Sequence, residues 1–237
     1  MSARAFFRAL TLDTLHPPYN HVTLKITYPA MPPGNEGELN SGYLAADLKQ
    51  APYPIMIMMP GINVSPEAYG WLAQGLASRG IVSVTYSFVT EELPGMISLS
   101  PGIDLQYLKP EQFGRSPTAT ALRGIIEVLT RVNNDSVLKG TLKLDKIILG
   151  GHSAGGTVAL LNANPDWFTG LASVFSYGAH TAAATTLGWP DNSYLPSPSI
   201  LPTLMIGGEC DGVIEGSQMR YGNSKDKTSS SKLEQSF

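Results

Sequence analysis

The stretch Leu149-Gly150-Gly151-His152-Ser153-Ala154-Gly155-Gly156 decides the fold of this chain. It carries the pattern G-x-S-x-G between an apolar run at 144–149, which predicts a strand, and a small-residue run at 154–162, which predicts a helix. A turn this tight needs small residues around the serine, because a side chain at position 151 or 155 would collide with neighbouring backbone. The turn therefore lifts the Ser153 hydroxyl clear of the carboxyl end of the strand.

The pattern alone is a weak signal, since it occurs by chance in roughly one chain in ten of this length. The strand before it and the helix after it supply the context of a nucleophile elbow. The alternative is a glycine-rich strand-to-helix turn without chemistry.

Composition sets the broad class of the protein. The chain has 237 residues, of which 43% are hydrophobic and 15% are charged, and its formal net charge is −3. This suits one domain over residues 1–237 and gives no electrostatic reason to expect nucleic acid or an acidic membrane surface as a partner. The single cysteine, Cys210, excludes an internal disulfide framework and fits a reducing compartment.

The sequence carries no targeting or spanning signal. Residues 1–8 lack the apolar core of a secretory signal, and no stretch approaches the 18 consecutive apolar residues of a membrane span. We expect a cytoplasmic protein.

Hydrophobic patterning predicts an α/β fold. Residues 21–28 alternate as a half-exposed outer strand does, and a weak strand is expected around 39–45. Uninterrupted apolar runs typical of buried parallel strands follow, at 53–59, 81–86, 144–149, 171–177 and 202–208. Helix starts are expected at Ser65-Pro66 and at Ser116-Pro117, where a serine N-cap precedes proline. Strands alternating with helices indicate a mostly parallel, doubly wound sheet with helices on both faces.

Two connections, 89–115 and 179–199, are too long to be plain turns. Both leave the carboxyl ends of strands, the edge at which open α/β sheets bind ligands. We expect them to wall a substrate site rather than to be disordered, with Trp189 as a wall residue.

These features together resemble the α/β-hydrolase superfamily, and within it the lipase, cutinase, chlorophyllase and dienelactone-hydrolase-like esterases. The resemblance runs from about residue 22 to the end. It rests on Met59-Pro60-Gly61-Ile62, on the stretch 151–156 and on Gly207-Gly208-Glu209-Cys210-Asp211-Gly212-Val213.

The resemblance implies a serine esterase that works through an acyl-enzyme, without metal or organic cofactor. Ser153 would be the nucleophile and Asp211 the triad acid, with Glu209 a weaker alternative. The backbone N–H groups of Ile62 and Ala154 would form the oxyanion hole. From the residues alone there is an alternative for each position: Gly61 forms a turn before a helix, and Asp211-Gly212 forms a tight turn. Cys210 reads as a buried small residue rather than a nucleophile.

The chain departs from that family pattern in one respect: no histidine follows Asp211. Residues 225–231 read as a polar linker and 233–237 as the opening of a helix, so we expect a C-terminally incomplete domain that lacks its last strand. His152 should point away from the Ser153 hydroxyl. His180 lies on the correct edge, as a structural residue, a substrate contact or, less favoured, an alternative base.

Two functions remain open. The first is a hydrolase of neutral, hydrophobic carboxylic esters. The second is a catalytically impaired fold that binds an apolar ligand or a partner, and completion by a second chain, or an oligomer, stays open. Acyl transfer to an acceptor other than water would use the same residues. No spacing favours a metal or nucleotide site.

Overall fold

The chain is built around one mixed β-sheet. A computed structural model describes residues 2–41, 44–197, 200–208, 210–211 and 214. Within them lie eight strands: β1 (Ser2–Thr11), β2 (His21–Ala30), β3 (Tyr53–Met59), β4 (Val82–Leu93), β5 (Met96–Leu99), β6 (Leu142–His152), β7 (Leu171–Tyr177) and β8 (Thr203–Ile206). Four α-helices accompany them: α1 (Glu36–Ser41), α2 (Gly70–Ala77), α3 (Leu122–Asn134) and α4 (Ala154–Leu161).

The strand order is β1-β2-β4-β3-β6-β7-β8, with β5 paired to β4 outside this path. The five strands from β4 to β8 along that order run parallel, whereas β1, β2 and β5 pair antiparallel. This is an α/β architecture, as predicted. The serine turn, residues 150–156, joins β6 to α4 at the carboxyl edge of the parallel strands.

Helices cover both faces of the sheet. Successive strand residues point to opposite faces, and in β3 this separates two sets of contacts. Met56 and Met58 pack with Tyr69 and the partly buried residues of α2. Ile55, Ile57 and Met59 belong to the larger core, which contains the buried side chains of α3 and α4. The continuous apolar run 53–59 is therefore buried on both sides, as its composition predicts.

The weak strand expected at 39–45 is wrong. Residues 36–41 form α1, which begins directly after Asn35. Leu44 and Ala46 follow, and Ala46 forms an isolated β-bridge with Ala30. The Asn35 side chain accepts the Glu38 N–H (2.9 Å), and the Glu38 carboxylate accepts the Gly34 N–H (2.6 Å). This reciprocal capping stabilises a helix start over a strand. Patterning also missed β1, which pairs with β2 along its full length.

The connection 89–115 contains regular secondary structure. β4 continues to Leu93, a turn at Pro94-Gly95 follows, and β5 pairs back antiparallel. Two short runs separated by a two-residue turn are a hairpin pattern. A 3-10 turn, Leu105–Leu108, precedes the rest of the connection.

The helix predicted from Ser116-Pro117 begins later, at Leu122. Asn162, fully buried at the end of α4, accepts the amides that a Ser116 N-cap would have accepted: its Oδ1 accepts from the N–H groups of Thr118 (2.9 Å) and Ala119 (3.0 Å). Its Nδ2 donates to the Thr118 hydroxyl (2.7 Å) and to the Val158 carbonyl (2.8 Å). One buried amide side chain thus ties α4 to the segment that leads into α3.

We expect Asn162→Ala to lower the free energy of unfolding by about 3 kcal/mol, because it leaves two buried N–H groups without acceptors. At this chain length that corresponds to a fall in melting temperature of roughly 6–12 °C. Asn134→Ala, at the exposed end of α3, is the matched control and should melt within about 2 °C of the wild type. Equal melting temperatures for the two variants would contradict this role of Asn162.

Candidate active site

The backbone of Ser153 has the strained geometry that its sequence context predicts. Its φ is 53° and its ψ is −127°, a region that residues with a Cβ rarely adopt. Two hydrogen bonds hold it there. Its N–H donates to the Tyr177 carbonyl on β7 (2.9 Å), and its own carbonyl accepts from the Thr157 N–H in α4 (3.1 Å). The serine is therefore clamped between its neighbouring strand and its own helix.

Glycine is required at positions 151 and 155, as expected. A Cβ at Gly151 would lie far inside 3.0 Å of the Gly155 carbonyl oxygen. A Cβ at Gly155 would come equally close to the carbonyl oxygens of Met59 and Pro60. Backbone atoms at such a distance cannot yield by a side-chain rotation. The first turn of α4 therefore rests directly on the end of β3.

The loop after β3 lies against the serine. A Cβ on Gly61 would be 3.3 Å from the Ser153 Cβ and 3.0 Å from Nδ1 of His152. Ile62, the next residue, has a partly exposed side chain. Within the described residues neither the Ile62 N–H nor the Ala154 N–H has an acceptor. The two predicted oxyanion-hole donors thus belong to segments that meet at Ser153.

A shallow depression of about 220 Å³ opens beside Ser153. Ser153 and His180 line it together with the mainly apolar surfaces of Ile103, Ala179 and Ile214. The depression thus joins the serine hydroxyl, one imidazole and an apolar wall.

A hydrogen bond to Nδ1 fixes the tautomer of the His180 ring, so that its Nε2 is a donor. Its Nδ1 accepts the Ala182 N–H (3.1 Å), and its carbonyl accepts the Thr157 hydroxyl. Burial lowers the pKa of His180 below its ordinary value, so the ring is neutral at neutral pH. A neutral ring whose Nδ1 accepts a hydrogen bond carries its proton on Nε2. The geometry therefore favours a substrate contact over an alternative base.

The His152 ring contacts Tyr69 and Tyr177, and among the described residues no hydrogen bond joins it to the Ser153 hydroxyl. Its Nδ1 lies 3.1 Å from the Tyr69 hydroxyl, and its ring stacks on Tyr177 with centroids 5.6 Å apart. Burial lowers the pKa of His152, and the Asp211 charge partly opposes this by raising it. The other two histidines, His16 and His21, lie outside this region; His21 contacts the Thr11 hydroxyl (3.2 Å) beside the β1–β2 pairing.

Asp211 follows β8 on the edge that carries the serine. Its Oδ1 accepts the Ile214 N–H (3.0 Å), and its own N–H donates to the Gly208 carbonyl (3.3 Å). Its Oδ2 would lie 3.4 Å from a Cβ on Gly178, immediately after β7. The carboxylate therefore shapes a turn and also faces the end of β7; its role as the triad acid stays a prediction.

Of the predictions for the segment after β8, the one for Cys210 is wrong and the others are untested. Cys210 is exposed, so its prediction as a buried residue is wrong: it stands in the turn after β8, where no described element packs over it. Glu209 lies outside the described residues, as do residues 225–231 and 233–237.

Trp189 does not line the depression. Its indole N–H donates to the Leu108 carbonyl (2.7 Å), and its ring meets Phe113 edge-on at 5.8 Å. It packs with a small apolar cluster that includes Leu108, Leu161 and Leu195, on which Ile103 also rests. Trp189 thus joins the two long connections, and it packs against the same cluster as the wall residue Ile103.

Sequence reasoning missed Tyr69 as a site residue. Its hydroxyl contacts Gly61, eight residues earlier, and His152, 83 residues later, so only the folded chain brings the three groups together. Among the described residues, no group of three His, Cys, Asp or Glu side chains forms a metal-binding cluster.

Neither a scan against protein-family models nor a search of curated proteins found a match to this chain. In the portion that the structure describes, no helix has the length and apolar character needed to cross a membrane.

We expect Gly151→Ala to destabilise the fold by about 3 kcal/mol or more, because the new Cβ meets backbone that cannot move aside. The matched control is Gly70→Ala. Gly70 has helical dihedral angles (φ −57°, ψ −39°), and no atom lies within 4 Å of its added Cβ. That control should keep or raise the melting temperature, since alanine is the better helix former. Thermal unfolding followed by circular dichroism compares the two, and similar stability in both variants would contradict the packing constraint.

Proposed function

We propose that this chain is a serine hydrolase of carboxylic esters, with the α/β-hydrolase fold and an acyl-enzyme on Ser153. One observation carries the proposal: Ser153 is held at a positive φ, and two backbone N–H groups lack acceptors among the described residues, that of Ala154 next to it and that of Ile62 in the loop whose Gly61 lies against it. A strained serine next to unpaired donors is the arrangement that stabilises a tetrahedral oxyanion.

The reaction would proceed in two stages. The Ser153 Oγ attacks the ester carbonyl carbon while its proton passes to a base, and the carbonyl oxygen becomes an oxyanion that accepts hydrogen bonds from the Ala154 and Ile62 amides. Collapse breaks the bond to the alcohol, which leaves with a proton. Water then attacks the acyl-enzyme by the same route and restores the Ser153 hydroxyl. An alcohol in place of water would make the reaction an acyl transfer.

The apolar lining supports a neutral, hydrophobic ester as substrate. Ile103, Ala179 and Ile214 line the depression beside the serine, and Ile103 packs against the same apolar cluster as Trp189. An ionised acyl group would lose its hydration there without a compensating charge. The Nε2–H of His180 would then serve a carbonyl or ether oxygen of the ester.

A second function, ligand binding without turnover, is favoured by the state of the two nearby histidines. Nδ1 of His180 accepts the Ala182 N–H, which leaves the Nε2 of that neutral ring protonated, and Nδ1 of His152 is engaged with the Tyr69 hydroxyl. Loss of a triad member lowers the rate by about 10⁴- to 10⁶-fold. An apolar depression beside an unactivated serine would still bind a hydrophobic ligand.

Labelling with a fluorophosphonate ester tests the proposal. We expect a single adduct, mapped by mass spectrometry to Ser153, and none in Ser153→Ala. A folded wild-type protein that stays unlabelled would reject hydrolysis and leave the binding function.

We expect His180→Gln to label within about tenfold of the wild-type rate, because glutamine keeps an N–H donor but cannot accept the serine proton. A fall of about 10⁴-fold would instead identify His180 as the base. His180→Phe, which removes the donor and keeps a ring, is the comparison variant and should label more slowly than His180→Gln.

A further inference from the structure

Tyr69 joins two parts of the candidate site that are far apart in sequence. It ends the 3-10 turn Pro66–Tyr69 and is only 7% exposed, packed with Met56 and Met58 of β3. Its hydroxyl lies 3.0 Å from the Gly61 backbone nitrogen and 3.1 Å from Nδ1 of His152. The hydroxyl therefore bridges the loop after β3 and the residue that precedes Ser153.

The direction of both hydrogen bonds follows from the groups involved. A backbone N–H can only donate, so the Tyr69 oxygen accepts from Gly61. The Tyr69 proton is then available to His152, whose ring is kept neutral by burial. Nδ1 of His152 is the other described polar atom beside the Tyr69 hydroxyl, and we assign it as the acceptor of the Tyr69 proton, the assignment that satisfies the hydroxyl and places the ring proton on Nε2.

The bridge is one of three ties on the loop at residues 61–64. The Val64 N–H donates to the Gly61 carbonyl (3.2 Å) and closes the turn. Asn63, at φ 57°, is locked to β5 in both directions: its N–H donates to the Leu99 carbonyl (2.8 Å), and its Oδ1 accepts the Leu99 N–H (3.2 Å). Ile62 lies between these fixed points. These hydrogen bonds hold both neighbours of Ile62. The Ile62 N–H itself has no acceptor within the described residues.

We propose that Tyr69 is a positioning residue: its hydroxyl fixes Gly61, and through it the direction of the Ile62 N–H towards Ser153. Its catalytic consequence rests on the proposed hydrolase function, whereas the bridge itself does not. Among the described residues, the Asp211 carboxylate and the Tyr177 ring also face His152. Neither supplies a hydrogen-bond donor to Nδ1 in place of Tyr69.

Tyr69→Phe tests this proposal because it removes only the bridging oxygen. Amide hydrogen exchange by NMR should show faster exchange at Gly61. The pKa of His152, followed from its ring protons, should rise, because the neutral ring loses its donor while the Asp211 charge remains. Tyr28→Phe is the matched control. Tyr28 is equally buried and donates to the Leu44 carbonyl (2.6 Å), away from the site, so it should change neither measurement.

Labelling kinetics with the same fluorophosphonate test the consequence. Tyr69→Phe should lower the maximal labelling rate by about 10- to 100-fold and leave the half-saturating probe concentration unchanged, because the oxyanion donor is displaced while the depression is kept. A wild-type rate in Tyr69→Phe would overturn the positioning role. Unchanged Gly61 exchange and His152 pKa would overturn the bridge. If the wild-type protein is not labelled at all, the hydrolase proposal fails, and exchange and pKa still decide the bridge.

Discussion

The close approach of α4 to the ends of β3 and β6 is the constraint on which this site depends. It exists only because positions 151 and 155 carry no side chain: any Cβ there would enter backbone carbonyls of Gly155, Met59 or Pro60. The approach forces Ser153 to a positive φ, a strain of about 1–3 kcal/mol. The packing of α4 against β3, β6 and β7 stabilises the fold and offsets the free-energy cost of this strain. It also brings the amino terminus of α4, where the Ala154 N–H has no acceptor among the described residues, to the serine turn.

The rest of the site is assembled from segments that leave the same edge of the sheet. The loop after β3 is fixed by Tyr69 and by Leu99 of β5. The connection after β7 contributes His180, which Ala182 holds in one tautomer. The turn after β8 contributes Asp211. Each of these segments contains little helix or strand, and a specific polar contact holds each one in place. The site is therefore preorganised before a ligand binds.

The sequence predicted what depends on local chemistry and missed what depends on distant partners. The buried parallel strands, the serine turn and the glycines at 151 and 155 follow from apolar runs and from steric limits. The late start of α3 does not, because the acceptor that takes the Thr118 and Ala119 amides is Asn162, more than forty residues away. The fixed tautomer of His180 and the two partners of Tyr69 are likewise visible only in three dimensions. The hairpin β4–β5 and the capped helix α1 had local signals, Pro94-Gly95 and Asn35 with Glu38, that hydrophobic periodicity alone does not detect.

The most direct measurement is a crystal structure of the chain after reaction with a phosphonate ester, which mimics the tetrahedral intermediate. The account predicts phosphorus bonded to the Ser153 Oγ and the phosphoryl oxygen about 2.7–3.1 Å from both the Ala154 and Ile62 nitrogens. An adduct whose phosphoryl oxygen faces solvent, or an Ile62 N–H turned away from it, would contradict the account.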